Sequence, residues 1–349
     1  MAAMPSLIRP LLLVLLIMTA LITAKSTPRV LVYTATKGYR HDSIPTAIAV
    51  LGREAGAHNV SFVFSEDPAL FTDASLAGFD GVMFVSNSEE VLDLDGQAAL
   101  QRFFQGGGVY TGVHAASACL FNDTNYLQAV GALFDYHPSL QDATFLPLTK
   151  DHPSTAHLPD QWRYTEEVYY FRSDPRSVGA TVLLTVDESS YNNDAKSNGN
   201  YPPMGTPHPI AWYIESPQSA QPLRDGAAKA GRSFYTSLGH LNSTWENSTF
   251  IEHVFGGLTW ALEGASTRAY GAGLVGAADN STASVSASAS ASGSTSASRS
   301  AAASGSHAAS GASAAPSATG SSKPSSAGAA ASVAGLAVGA AVVGAAAIL

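Results

Sequence analysis

Imidazole titrates near neutral pH, so a histidine serves as a general base or as a metal ligand. The chain carries 10 histidines. His41, His114, His208 and His240 each stand beside the end of an apolar, β-branched run. The stretch GGGVYTGVHAASA, Gly106 to Ala118, poses the sharpest question. It reads as a buried strand that stops at His114 and turns straight into a helix. Many enzymes of similar build place a nucleophile at that turn. Imidazole is a poor nucleophile but a good base and ligand there. Cys119, the one cysteine of the chain, lies further along and reads as a small core residue.

The elements that must position these groups follow from periodicity. Arg29–Thr36, Val60–Ser65, Gly81–Asn87 and Gly108–His114 read as buried strands. Ser43–Ala55 and Asp95–Phe104 read as helices between them, and Ala115–Leu133 as helical in part. Strands alternating with helices at this spacing predict a parallel α/β sheet with helices on both faces. The second half is richer in strands: Ala143–Leu148, Val168–Phe171, Ala180–Asp187, Ile210–Ile214 and Ser233–Leu238. A last helix covers Phe250–Leu262.

Ligands of open parallel sheets bind beyond the carboxyl ends of the strands. Collected there are Tyr39 and His41, then Glu66 and Asp67, then Glu89 and Glu90, then His114, and finally His240 after Gly239. Each has a bland alternative. His41 sits where Asp42 or Ser43 would cap a helix. His137, His152 and His208 each precede proline and so belong to rigid turns. Glu166 and Glu167 precede a strand-like run, so one would point inward and one outward, as an acid/base group or as a surface ion pair. His58, His157 and His253 read as surface residues. Tyr39, Tyr169 and Trp212 are candidates to stack on a ligand ring, with Trp212 better suited to a core. The catalytic candidates are His114, His240 and Glu167. The substrate-binding candidates are Tyr39, His41, Glu89, His137, His208 and Tyr169. A metal set of His114, His208 and His240 would hold zinc or another divalent ion, with its ligands converging from separate strand ends. There is no GxGxxG dinucleotide fingerprint, because Gly106-Gly107-Gly108 precedes a strand instead of following one.

Composition sets the surroundings. Met1–Ala24 has a lone Arg9 and the apolar run Leu11–Ile22, the pattern of a signal peptide over residues 1–24. A folded domain is expected over 25–270. Residues 271–332 are dominated by Ser, Ala and Gly and predict a disordered stalk. Residues 333–349 form an uncharged apolar tail, the pattern of a GPI-anchor signal. Sequons stand at Asn59, Asn122, Asn242, Asn247 and Asn280. These features predict a secreted glycoprotein held at the cell surface by a lipid anchor. With 27 acidic against 18 basic residues, the charge disfavours nucleic acid as a partner.

The segments GYRHDSI, GGGVYTGVHAA, YHPSLQDA, DHPSTAHLP, EEVYYF, VLLTVDESSY, HPIAWY and GRSFYTSLGH follow one another in order through the domain. Together they resemble the ThuA-like (trehalose utilisation) family. The resemblance implies a flavodoxin-like fold similar to class I glutamine amidotransferases, and a sugar-related role at a surface of fungal type. In amidotransferase relatives a cysteine occupies the elbow held here by His114, so glutaminase chemistry is not expected. The implied substrate is a trehalose-like disaccharide or its keto derivative. Hydrolase, lyase and sugar oxidoreductase activities stay open, as do a non-catalytic carbohydrate binder and a wall-structural glycoprotein.

Overall fold

The computed structural model describes residues 26–264, 266–270 and 273–276. The segment read as a signal peptide, Asn280, the apolar tail and all of the stretch read as a stalk but 273–276 lie outside the described residues. In chain order the strands are β1 (Arg29–Tyr33), β2 (Ser61–Ser65), β3 (Gly81–Val85), β4 (Val109–Val113), β5 (Phe134–Tyr136), β6 (Gln141–Pro147), β7 (Trp162–Glu166), β8 (Tyr170–Phe171), β9 (Thr181–Val186), β10 (Ala211–Ile214) and β11 (Ser233–Thr236). The helices are α1 (Ile44–Glu54), α2 (Asp73–Leu76), α3 (Leu94–Gln105), α4 (Thr124–Val130), α5 (Asn242–Trp245) and α6 (Ser248–Gly264).

Nine strands form one sheet in the order β2-β1-β3-β4-β11-β10-β9-β6-β7, and β5 pairs with β8 apart from it. The first five are mutually parallel. The last four join by antiparallel pairing. The expected α/β fold is thus present, with the strand-rich second half built as an antiparallel extension.

Alternation along the central strands gives each face its own core. Leu31, Tyr33, Val82 and Phe84 pack on one face with Ala99, Leu100 and Phe103 of α3 and Tyr126 of α4. Val30, Val32, Met83 and Val85 pack on the other with Val50 and Leu51 of α1 and Val254, Phe255 and Leu258 of α6. A strand apolar on both faces must be covered twice, which is why helices occupy both.

Two expectations need correction. The chain after His114 does not run straight into an α-helix. It makes a 3-10 turn over His114–Ala118, becomes extended at Cys119, and starts α4 only after Asp123. Two contacts enforce this: Cys119 bridges to Glu89, and Asp123 caps the new helix by accepting from the Asn125 and Tyr126 N–H groups. The strand β7 was not expected. Its residues WRYTE bury only Trp162 and Glu166 fully, so the apolar alternation of an edge strand is faint.

Strand direction decides which loops share an edge. β1, β3, β4 and β11 are parallel, so their carboxyl ends lie together. Four successive antiparallel pairings from β11 return β7 to the same direction, so Glu166 also leaves at that edge. Four strand spacings in a flat sheet would separate β7 from β11 by about 19 Å. Yet the Glu166 carboxylate lies 2.9 Å from the Gly239 nitrogen just past β11. The sheet therefore curls here and brings the β7 end over the β11 end.

Candidate functional site

His114 occupies the elbow after β4 with φ 56, a left-handed conformation that non-glycine residues rarely adopt. Its ring is fully buried. Nδ1 lies 2.8 Å from the Ser237 carbonyl oxygen. A carbonyl only accepts, so Nδ1 carries the proton and Nε2 of the neutral ring offers one lone pair. Around that lone pair stand His41 Nε2 at 3.1 Å, His240 Nδ1 at 3.2 Å and the Tyr169 hydroxyl at 3.1 Å. Glu167 Oε2 is 3.5 Å away. One lone pair cannot satisfy so many neighbours.

A cation can. His41, His114, Glu167 and His240 each offer a ligand atom, all within 4.8 Å of one another. The separations 3.1 Å (His41–His114), 3.2 Å (His114–His240), 3.2 Å (His240–Glu167) and 3.5 Å (His114–Glu167) outline a compact four-cornered cage. A tetrahedral zinc site with arms of about 2.0–2.1 Å has edges of roughly 3.3 Å. The donor set of three imidazoles and one carboxylate fits a divalent ion of that size.

Each ligand is held by a local device. His41 lies in the loop between β1 and α1, its ring edge-on to His114 at 4.6 Å and to Tyr39 at 4.7 Å. Ser43 is the N-cap residue of α1, as one alternative had it, but its hydroxyl makes no cap bond and donates instead to the Gly239 carbonyl. Gly239, at φ 128, lets the chain turn close against Val113 and His114 and deliver His240. Glu166 and Glu167 are both buried, which corrects the in-and-out expectation: the chain leaves β7 at Glu166 and turns inward. Glu166 accepts from the backbone N–H groups of Glu167, Gly239 and His240 and from the Thr244 hydroxyl. It braces the His240 loop, a role the sequence did not reveal. Glu167 faces the cage and also approaches His137 Nε2 at 3.4 Å.

The electrostatics suit lone-pair donors. Burial, and then the nearby His240, pull His41 down to about 4. Burial, followed by His41 and His240, holds His114 well below its ordinary value. Both rings are neutral at pH 7. His240 is raised: burial pulls it down, but the hydrogen bond and charge of Glu167 outweigh that. Burial pushes Glu166 up to about 7 against the pull of its donors. Burial also keeps the Tyr169 phenol protonated, hence a donor.

The cage lies in the wall of a cleft of about 690 Å³. Tyr39, His41, Glu89, His137, Glu167, Tyr169 and His240 all line it. Tyr39 is 65 % exposed at the rim. Tyr169 is no open stacking platform, because its ring packs at 4.5 Å on Phe134 and 4.8 Å on His114 and contributes its hydroxyl. Asp135 and Arg172 also line the cleft and were not singled out from sequence, since neither belongs to a strand-end histidine pattern. His208 is the main correction. It is buried away from the cage, with Nδ1 3.0 Å from Glu188 and Nε2 2.9 Å from the Tyr169 carbonyl. Both nitrogens are engaged, and the group that could hold a metal ion joins His41 and Glu167, not His208, to His114 and His240.

The profile of the ThuA family, described as trehalose utilisation, matches residues 29–261. The chain belongs to the ThuA family. That span contains every residue of the cage. Among solved structures, a ThuA-like protein of Bacteroides uniformis superposes with a TM-score of 0.53 at 15 % identity, over 68 % of this chain and 92 % of that one. A ThuA-like protein of Parabacteroides merdae superposes with a TM-score of 0.50 at 16 % identity, over 68 % of this chain and 90 % of that one. At such identities the likeness is one of fold. A comparison with curated protein sequences finds no match.

Proposed function

We propose that this ThuA domain is a metal-dependent enzyme acting on a sugar or glycoside, a trehalose-like disaccharide or its keto derivative. One observation carries the reading: the His114 Nε2 lone pair faces two further imidazoles, a carboxylate and a phenol at 3.1–3.5 Å. His41, His114, His240 and Glu167 would hold zinc or another divalent ion. When bound, such an ion supplies a Lewis acid and lowers the pKa of a bound water. The remaining groups handle protons. Tyr169 keeps its O–H at the cage, and His137 at the mouth approaches the second Glu167 oxygen. Hydrolysis or elimination at a glycosidic carbon uses acid/base groups of this kind. The family description supports the sugar assignment. The residue 1–24 segment, the Ser-rich stretch and the apolar tail support a secreted, lipid-anchored setting.

The test is turnover of a panel of disaccharides and their 3-keto derivatives by the full chain. Turnover should fall at least a hundredfold on chelation, return with zinc, and be absent in His114→Asn. Turnover that survives both chelation and His114→Asn would overturn the reading. Binding without turnover under zinc saturation would assign the domain as a carbohydrate binder.

A further inference from the structure

Beside the cleft lies a second hollow of about 400 Å³. We infer that it is a second saccharide subsite, through which the domain also takes glycosides longer than a disaccharide that span both hollows. The inference rests on the carbohydrate reading of the cleft and extends it to substrate length.

Continuity is the first argument. The strand β5 alternates across the divide: Phe134 lines the cleft, Tyr136 lines the second hollow, and Asp135 lines both. Arg172 stands at the same divide. Its guanidinium lies 4.1 Å over the Phe121 ring, a cleft residue, and 5.1 Å over the Tyr201 ring, a residue of the second hollow. A carboxylate acceptor and a guanidinium donor thus mark the junction. The Arg172 Nε is buried without a hydrogen-bond partner. A half-buried cation with spare N–H groups suits the hydroxyl and ring oxygens of a chain crossing at that point.

The lining is the second argument. Tyr136 and Tyr170 stack at 4.5 Å with 14° between their planes, and Tyr201 is 40 % exposed. A pyranose presents an apolar C–H face and a rim of hydroxyls. Aromatic rings meet the first, and acceptors such as Asp135 and Glu188 meet the second. His208 acquires a purpose here. It packs edge-on to Tyr170 at 4.7 Å and holds Glu188 at 3.0 Å, so it braces this hollow and not the cage. The Tyr170 and Tyr191 hydroxyls lie 2.6 Å apart and Asn193 donates to the Tyr136 hydroxyl, which fixes the rings in place. A prearranged wall loses little freedom on binding.

The experiment is calorimetry on the zinc-loaded full chain with cello- and malto-oligosaccharides of two to five glucose units. The expected result is at least a tenfold gain in affinity from two units to four in one of the ladders. In Tyr136→Ala and Tyr201→Ala the tetrasaccharide should bind no more tightly than the disaccharide. Tyr201→Phe keeps the ring and should keep the gain, which separates stacking from misfolding. Disaccharide binding that does not strengthen with length would overturn the second subsite and leave the carbohydrate reading standing. A length gain that survives both alanine variants would also overturn it. No binding by any member of either ladder would overturn the second subsite, and the carbohydrate reading of the cleft would then stand or fall on the disaccharide panel alone.

Discussion

A histidine binds a metal through one nitrogen and is held in orientation through the other. His114 has that second support, the Ser237 carbonyl. His41 does not: its Nδ1 is buried without a partner. His41 is therefore the weaker ligand. In a zinc titration against a competing chelator, His114→Ala should abolish measurable binding, whereas His41→Ala, which removes the less supported ligand, should leave weaker but measurable binding. Equal losses would contradict this ranking. Glu166 offers a second residue-level prediction. All of its partners donate, so Glu166→Gln sets an amide N–H₂ against donors. It should lower stability by about 1–3 kcal/mol, read as a lower Tm, and loosen His240. His114 and His240 were legible in the sequence because both end apolar runs. Glu166 was not, because its task is to gather backbone N–H groups from residues some seventy positions away, and a pair of glutamates carries no mark of such a fold-dependent contact.

At the scale of the element, the elbow separates folding from chemistry. The left-handed conformation at His114 tolerates asparagine far better than a β-branched residue. Compared metal-free, His114→Asn should melt close to the parent, and it should fail to take up the metal. His114→Val should lose the metal and also melt earlier, by about 1–3 kcal/mol. Identical Tm values for the two variants would show that the elbow carries no strain. The parallel strands β1, β3, β4 and β11 were readable because burial on both faces demands unbroken β-branched runs. The edge strand β7 was not, since it buries one face and shows polar residues on the other. The placement of Glu167 therefore came from sequence only as a guess about pointing in or out, and the curl of the sheet decided it. His208 misled for a related reason: a histidine before proline at a strand start looks like a ligand, but its register places it beneath Tyr170.

Across the whole molecule, buried neutral histidines tie stability to pH. His253 read as a surface residue, yet it is fully buried, with its ring nitrogens engaged by the Ser154 carbonyl and the Thr236 hydroxyl. Burial pulls it down to about 4, and burial followed by Arg232 pulls His152 down to about 4. The unfolded chain takes up these protons near pH 6.5, whereas the folded chain resists until about pH 4. Their contribution is complete above pH 6.5, is lost as pH falls through that window, and levels off below pH 4. For His253 the loss is on the order of 3 kcal/mol. Denaturant melts from pH 7 to pH 4 should show this decline, and His253→Gln should flatten part of it. An unchanged slope in that variant would place the decline elsewhere.

The metal cage is tested most directly by elemental analysis of the purified full chain with His114→Asn beside it. The parent chain should carry about one divalent ion and the variant none, with matching circular dichroism for the two. A parent chain that retains no metal after exposure to zinc at neutral pH would contradict it.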